Sequence, residues 1–424
     1  MTELFAAAVE IDITPPVGTG FDGYAARQAA SIGVHDPLLA QLLLLKSGSQ
    51  TVAVISLDLL GVSLDFTNRV RSGIQEAIGV PGECVLSACS HTHSSAAGFL
   101  PPHPGIKTSP DAELQRWLTR QLIGAARWAA GRLQPARLGI GQGAIAGIGL
   151  NRNNPQGGAV DEQVTILQIE NESNEPLAVL MNYGCHPTVL GYENLYFSAD
   201  FPGAARATLR QIYPQTIFLF TNGASGDIST RFTRRSQDFA EVDRLGRLLA
   251  GEVLKVMQFI LTQPDAELSG KVAEVELKLR DFPTPQVAQQ ELERLQAELY
   301  RLKAAHASHG ELRRAITCLE GAQGQALMAQ ELAGRRVSHS QVQVLQIGEL
   351  ALVALPGEAF TPTVLEIKQR SPKACTAVVS YANDYQGYFP DAPSILEGSY
   401  EALISPYAAD TAEILSETAL NLIT

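Results

Sequence analysis

The sequence predicts an α/β fold: a mixed β-sheet core flanked by helices, with a helical hairpin inserted or attached at about residues 285–333. Three observations carry this. Apolar, β-branched runs alternate with helical stretches through about the first 260 residues. Those runs are continuously apolar, as in strands buried on both faces. Leu292, Leu295, Leu299 and Leu302 then recur every three or four residues with Glu and Arg between them, the period of a packed helix.

The elements follow in order. Thr51-Val52-Ala53-Val54-Ile55-Ser56-Leu57 reads as a buried strand running into Asp58, and a helix follows from Asp65 to Ala77. Glu83–Ala88 is a second apolar run, ending just before Ser90-His91-Thr92-His93-Ser94. After a Pro/Gly/His loop at 98–110, Leu114, Trp117, Leu118 and Leu122 mark a helix over 111–133. Residues 162–182 read as a hairpin about the turn Asn171–Pro176, and its second strand leads to Gly184-Cys185-His186-Pro187. Ile217–Phe220 is a short strand ending in the Gly-rich turn Asn222–Asp227, and Ala240–Phe259 closes this half as a helix. Beyond the helical hairpin, Val342–Ile347 and Leu350–Leu355 are strands joined by Gly348-Glu349, and the second runs into Pro356-Gly357-Glu358. Glu193–Phe197 resembles a protease tag, but its place deep inside the chain marks it as native.

Composition bounds the function. The chain has 424 residues, 45% hydrophobic and 18% charged, which is the make-up of a globular protein with a large core. The net charge is −12 and no Lys/Arg-rich run occurs, so nucleic acid and anionic membrane surfaces are excluded as partners. No apolar run reaches transmembrane length. Five cysteines, never in Cys-x-x-Cys, suit reduced thiols. The N-terminal residues lack a basic region and a signal-length apolar stretch, so a cytoplasmic location is expected.

The eight histidines hold the chemistry. His91, His93 and His186 follow strand-like runs, where rigid scaffold holds imidazoles as a catalytic zinc requires. The competing reading is three hydrogen-bonded core histidines. In extended backbone His91 and His93 point the same way, one to a metal and the other to substrate. Glu358, after an all-apolar strand, is either a buried carboxylate whose burial a metal offsets or an exposed loop residue. His35, His103, His306, His309 and His339 lack this context, and His35-Asp36 reads as a structural turn.

Asp12-Ile13-Thr14-Pro15, Ser90–Ser94, Asn151-Arg152, Ser198–Gly203, Gly226-Asp227-Ile228-Ser229 and Asn383-Asp384-Tyr385-Gln386-Gly387-Tyr388 occur in order and in register. In these the chain resembles the catalytic N-terminal domain of the neutral/alkaline non-lysosomal ceramidases, from residue 10 to about 415. The resemblance implies a single catalytic domain over 1–424, without the C-terminal β-sandwich of longer ceramidases. It implies one zinc ion per chain, held by His91, His186, Glu358 and Tyr388. It also implies that His93 and Tyr400 face the developing oxyanion and that Arg152 lies at the substrate end. Ser229 is a former candidate nucleophile that a zinc-activated water replaces; Asp227, Ser229 or a histidine relays the leaving-group proton.

The implied activity is hydrolysis of an N-acyl amide bond in a small or lipid-like substrate. An esterase or lactonase on a small polar substrate, and a non-catalytic metabolite-binding descendant, are the alternatives. Where the family has Gly-Asp-Val-Ser-Pro-Asn, this chain has Thr230-Arg231 at the last two positions. Arg231, with Arg234 and Arg235, therefore favours an anionic or polar substrate unless these residues form a solvated loop.

Overall fold

The computed structural model describes residues 3–101, 109–307 and 309–424, so His103 lies outside the described residues. Two sheets carry the fold. The larger contains β1 (Leu4–Asp12), β2 (Leu39–Ser47), β3 (Gln50–Leu57), β4 (Val85–Cys89), β5 (Gln134–Ala144), β6 (Gln163–Asn171), β7 (Pro176–Tyr183) and β8 (Ile217–Asn222). Their order across the sheet is β8-β7-β6-β5-β1-β2-β3-β4. The smaller runs β9-β10-β11-β12, from β9 (Leu268–Lys278), β10 (Val337–Ile347), β11 (Leu350–Ala354) and β12 (Cys375–Val379). The helices are α1 (Leu64–Ile78), α2 (Ala112–Ala130), α3 (Asp200–Ile212), α4 (Phe239–Met257), α5 (Pro285–Ala304), α6 (His309–Glu331), α7 (Thr361–Arg370), α8 (Ala392–Glu397), α9 (Tyr400–Ile404) and α10 (Thr411–Ile423).

Strands such as β6 send alternate residues to two cores, which is why they read as nearly unbroken apolar runs. Leu167 and Ile169 of β6 pack with Leu345 and Ile347 of β10 and Leu352 of β11, so the sheets stack face to face. Val164 and Ile166 of β6 turn the other way, toward Phe201 and Leu209 of α3 and Leu245 and Leu249 of α4. The outer face of the small sheet lies under Val364 and Ile367 of α7 and Leu415 and Ala419 of α10. The mixed-sheet core flanked by helices that the sequence predicts is present, and the late strands form a second sheet of their own. Its β9 escapes a reading based on apolar runs because its face toward solvent is polar, with Glu274, Glu276 and Lys278.

Local signals set the boundaries. Ser63 caps α1 by accepting from the Phe66 N–H, and Gly79 ends it in the left-handed region. Asp111 and Asp238 cap α2 and α4 in the same way. The hairpin predicted at 285–333 is present: α5, started by Thr284 and Pro285, packs on α6. It fills the connection between β9 and β10, and α6 lies against α9. Tyr196-Phe197 pairs with Gly33-Val34, so the tag-like segment is part of the fold.

One topological feature positions the site. The pairs β3/β4, β7/β8 and β11/β12 run parallel, and α1, α3 and α7 make the respective crossovers. Ligands in α/β folds gather at the carboxyl ends of such strands. The segments after β4, β7, β8, β11 and β12 carry His91, His186, Ser225, Glu358 and Tyr381. They are bound directly to one another: Cys89 N–H donates to Tyr381 O at 3.1 Å, His186 N–H to Ile228 O at 3.1 Å and Gly226 N–H to Ala359 O at 3.0 Å.

Close approach at this junction makes Gly226 obligatory, since a Cβ there would lie 2.6 Å from Glu358 O. Gly251, inside α4, has open space around its Cβ position. Gly226→Ala is therefore expected to destabilise the fold by about 1–3 kcal/mol through overpacking. Gly251→Ala is expected to stabilise it by about 0.5–1 kcal/mol through helix propensity. Denaturant unfolding of the two variants checks this; equal effects would refute the assignment of the junction.

Candidate metal centre

His91 sits two residues beyond the β4 end, in left-handed backbone (φ 67°). The extended geometry expected for the His-Thr-His segment is therefore corrected: the chain turns sharply at His91. The two imidazoles still converge, with their Nε2 atoms 3.3 Å apart and their rings edge to face. Strain of this kind persists only where surroundings over-determine it, and Tyr381 (φ 56°) and Asn383 (φ 64°) share it nearby.

Each of the two predicted histidine ligands has its tautomer fixed from behind. His91 Nδ1 donates to Leu60 O at 2.7 Å, and His186 Nδ1 donates to Ser225 O. Burial lowers the pKa of each imidazole to about 3, against a smaller opposing pull from Glu358 on His91. Both rings are thus neutral at pH 7, and each presents an Nε2 lone pair forward. Glu358, 1% exposed, completes the convergence: its Oε2 lies 3.1 Å from His186 Nε2 and 3.7 Å from His91 Nε2. His186 Nε2 has no hydrogen-bond partner.

The Nε2 atoms of His91 and His186 and the Glu358 Oε2 oxygen thus converge on one buried point. That arrangement is repulsive unless a cation occupies the centre. Imidazole nitrogens with a carboxylate oxygen are the donor set that zinc accepts, and their backing hydrogen bonds are those of metal-bound histidines. The residues fit a divalent cation, and His186 Nε2, which has no hydrogen-bond partner, does not fit the core-histidine alternative. Ligand atoms of His91, His93 and His186 all lie within 4.8 Å of one another.

The other predicted residues fall around this point. Tyr388 pairs with Glu358 across a parallel bridge, which sets the two side by side. Its hydroxyl accepts from Arg152 Nη2 at 3.1 Å, while burial and then Glu358 hold its pKa well above the usual value. Arg152 also donates to Gly226 O at 2.6 Å and pairs through Nε with Glu401 at 2.8 Å. Burial alone would lower Arg152, but Glu401, Tyr388 and Glu358 keep it firmly charged. Tyr400 packs against the cluster of Phe360, Tyr388 and Ile404, and burial pushes its pKa up to about 12.

Asp227 and Ser229 have other partners. Asp227 Oδ1 accepts from the Thr361 N–H and hydroxyl at 2.9 and 2.8 Å, and Oδ2 accepts from Asn151 at 2.8 Å. Burial raises its pKa to about 6. Ser229 Oγ accepts from the Arg231 N–H at 3.3 Å, and its backbone bridges His186. Both bind the loops of the site together. His35 and Asp36 form a turn pair at 2.8 Å, with His35 stacked on Phe239. The basic trio separates: Arg234 donates to Thr188 O, while the Arg235 backbone N–H joins the Glu241–Arg244 cluster.

Sequence reasoning missed Tyr381, Ser225 and Glu401, and it gave no role to Tyr385, although the motif contained it. Tyr385 donates to Glu358 Oε1 at 2.6 Å, and Tyr381 to Oε2 at 3.3 Å. Glu401, 2% exposed, was concealed as the neighbour of Tyr400.

The fold is thus an α/β sandwich whose strand ends bring together a buried His/His/Glu set. A profile described as "Neutral/alkaline non-lysosomal ceramidase, N-terminal" matches residues 7–233, and the chain belongs to that family. Neutral ceramidase A of Dictyostelium discoideum is 27% identical over 213 residues, covering 46% of this chain and 30% of that protein. The match therefore spans less than a third of that relative. The neutral ceramidase of Pseudomonas aeruginosa has the same fold, with TM-score 0.78, 17% identity, and coverage of 100% of this chain and 74% of that one. A ceramidase complexed with C2 gives TM-score 0.76 at 15% identity, covering 100% of this chain and 75% of the other.

The Arg152–Glu401 pair, with side chains 10% and 3% exposed, predicts a stability effect. Glu401→Gln leaves the Arg152 charge buried and is expected to cost about 3–5 kcal/mol. Urea unfolding measures it; a loss below about 1 kcal/mol, the range of an exposed pair, would show that the pair is solvated.

Proposed function

We propose that the protein is a zinc-dependent hydrolase that cleaves the N-acyl amide bond of a small or lipid-like substrate. The observation that carries this is the convergence of two neutral imidazoles on one buried carboxyl oxygen, with His186 Nε2 and His91 Nε2 at 3.1 and 3.7 Å from Glu358 Oε2. Family membership and the ceramidase names of the similar proteins support the amide bond as the target. His91, His186, Glu358 and Tyr388 would hold the ion. When bound, zinc polarises a carbonyl and lowers the pKa of a water toward about 7.

The chain's own groups do the rest. His93, buried and neutral, has its Nε2 at the edge of the centre. With the His91 lone pair committed to the ion, the His93 Nε2–H is free to donate to an oxyanion. Tyr400 stays a neutral phenol at pH 7 and is a second donor of the same kind. Arg152, fixed by Glu401, donates to the Tyr388 oxygen and favours its anionic form. Asp227 and Ser229 keep the loops in register, and no proton transfer is assigned to either.

A panel from ceramide down to short N-acyl amines, with matched esters, tests this reading. Amide turnover should disappear with a chelator and return with one equivalent of zinc. His93→Ala should lower kcat by about 10²–10³-fold, as for loss of one oxyanion donor. Turnover of esters alone would replace the amidase reading with the esterase one. Absence of zinc binding and of turnover would leave a metabolite-binding protein.

A further inference from the structure

Among the residues around the centre, Tyr381 touches both a histidine and the carboxylate. Its ring lies flat on His91, with centroids 3.8 Å apart and planes 9° from parallel. Its hydroxyl accepts from Ser225 Oγ at 2.8 Å and donates to Glu358 Oε2 at 3.3 Å. Ser225 in turn supplies the carbonyl that fixes His186. The backbone repeats the pattern: Tyr381 N–H donates to Gly357 O at 3.0 Å, beside Glu358, and Tyr381 O accepts from Cys89, two residues before His91. The side chain is fully buried, in left-handed backbone that a non-glycine residue adopts only under constraint.

We infer that Tyr381 is a positioning residue for the metal centre, setting the His91 ring plane by stacking and aiming Glu358 Oε2 at the ion through its hydroxyl. The division of labour on Glu358 follows from the distances. Oε1 is engaged by Tyr385 at 2.6 Å and is withheld. Oε2 has only the longer Tyr381 contact and faces both histidines, so the carboxylate presents one oxygen. A relay of hydroxyls, Ser225 to Tyr381 to Glu358, thus links the His186 loop to the carboxylate ligand. This role rests on the proposed metal function, but it concerns how tightly and in what geometry the ion is held.

Three variants separate the parts. Tyr381→Phe keeps the stacked ring and loses the hydroxyl, Tyr381→Leu loses both, and Ser225→Ala cuts the relay at its other end. Zinc affinity is read by competition with a chromophoric chelator, and geometry by the visible absorption of the cobalt-substituted protein. Loss of such outer partners of metal ligands lowers affinity by about 10–100-fold. Tyr381→Phe and Ser225→Ala should each fall at the low end of that range, and their double variant should be no weaker than either single. Tyr381→Leu should fall at the high end and shift the cobalt bands; the Phe variant should partly restore both.

Weaker zinc binding by the Phe variant, which keeps the ring packing, is a readout that a general packing role would not move. Wild-type affinity and cobalt spectra in both Tyr381 variants would overturn the inference and leave the metal function standing. Failure of the wild type itself to bind zinc would overturn both. If Tyr381→Leu does not fold, the Phe and Ser225→Ala pair still decides.

Discussion

Everything around the centre depends on one electrostatic constraint. Two neutral imidazoles, each with its only N–H committed to a carbonyl behind it, aim lone pairs at a buried carboxylate oxygen. Burial lowers both imidazole pKa values to about 3, so both rings are neutral at pH 7. Such a group is destabilising by itself and stable around a cation. The loops that impose it therefore have to be held by other parts of the fold.

The fold supplies that support through its parallel strand pairs. Three crossovers, by α1, α3 and α7, deliver strand ends of both sheets to one point. The ends then hydrogen-bond to each other: Ser380 N–H to Asn222 O, Asn383 N–H to Ser87 O and Glu358 N–H to Gly387 O, at 2.8–2.9 Å. Ligands far apart in sequence are thus held by backbone, and side chains such as Tyr381 refine only the final geometry. Left-handed backbone at His91, Tyr381 and Asn383 is the local cost of bringing these ends together.

How much of this was legible in the sequence follows from the same physics. Buried strands announce themselves as apolar runs, so β3, β4, β6, β7 and β8 and the histidines at their ends could be read directly. The second sheet was less legible because β9 is amphipathic and because pairing partners are not encoded locally. His91, His186 and Glu358 were identifiable through strand-end position and the family motifs, and the structure brings all three together. The geometry of the His-Thr-His turn was not, since a positive φ at a histidine leaves no trace in composition. Tyr381 and Glu401 were invisible for a different reason: their importance lies in contacts across 290 and 249 residues of chain, to His91 and Arg152.

Zinc K-edge X-ray absorption on the protein, with metal content measured on the same sample, tests the central claim most directly. The account predicts one zinc per chain in a shell of nitrogen and oxygen alone, at about 2.0–2.1 Å, with outer scattering from two imidazoles. A sulfur ligand, scattering from three imidazoles, or a protein that binds no zinc would contradict it.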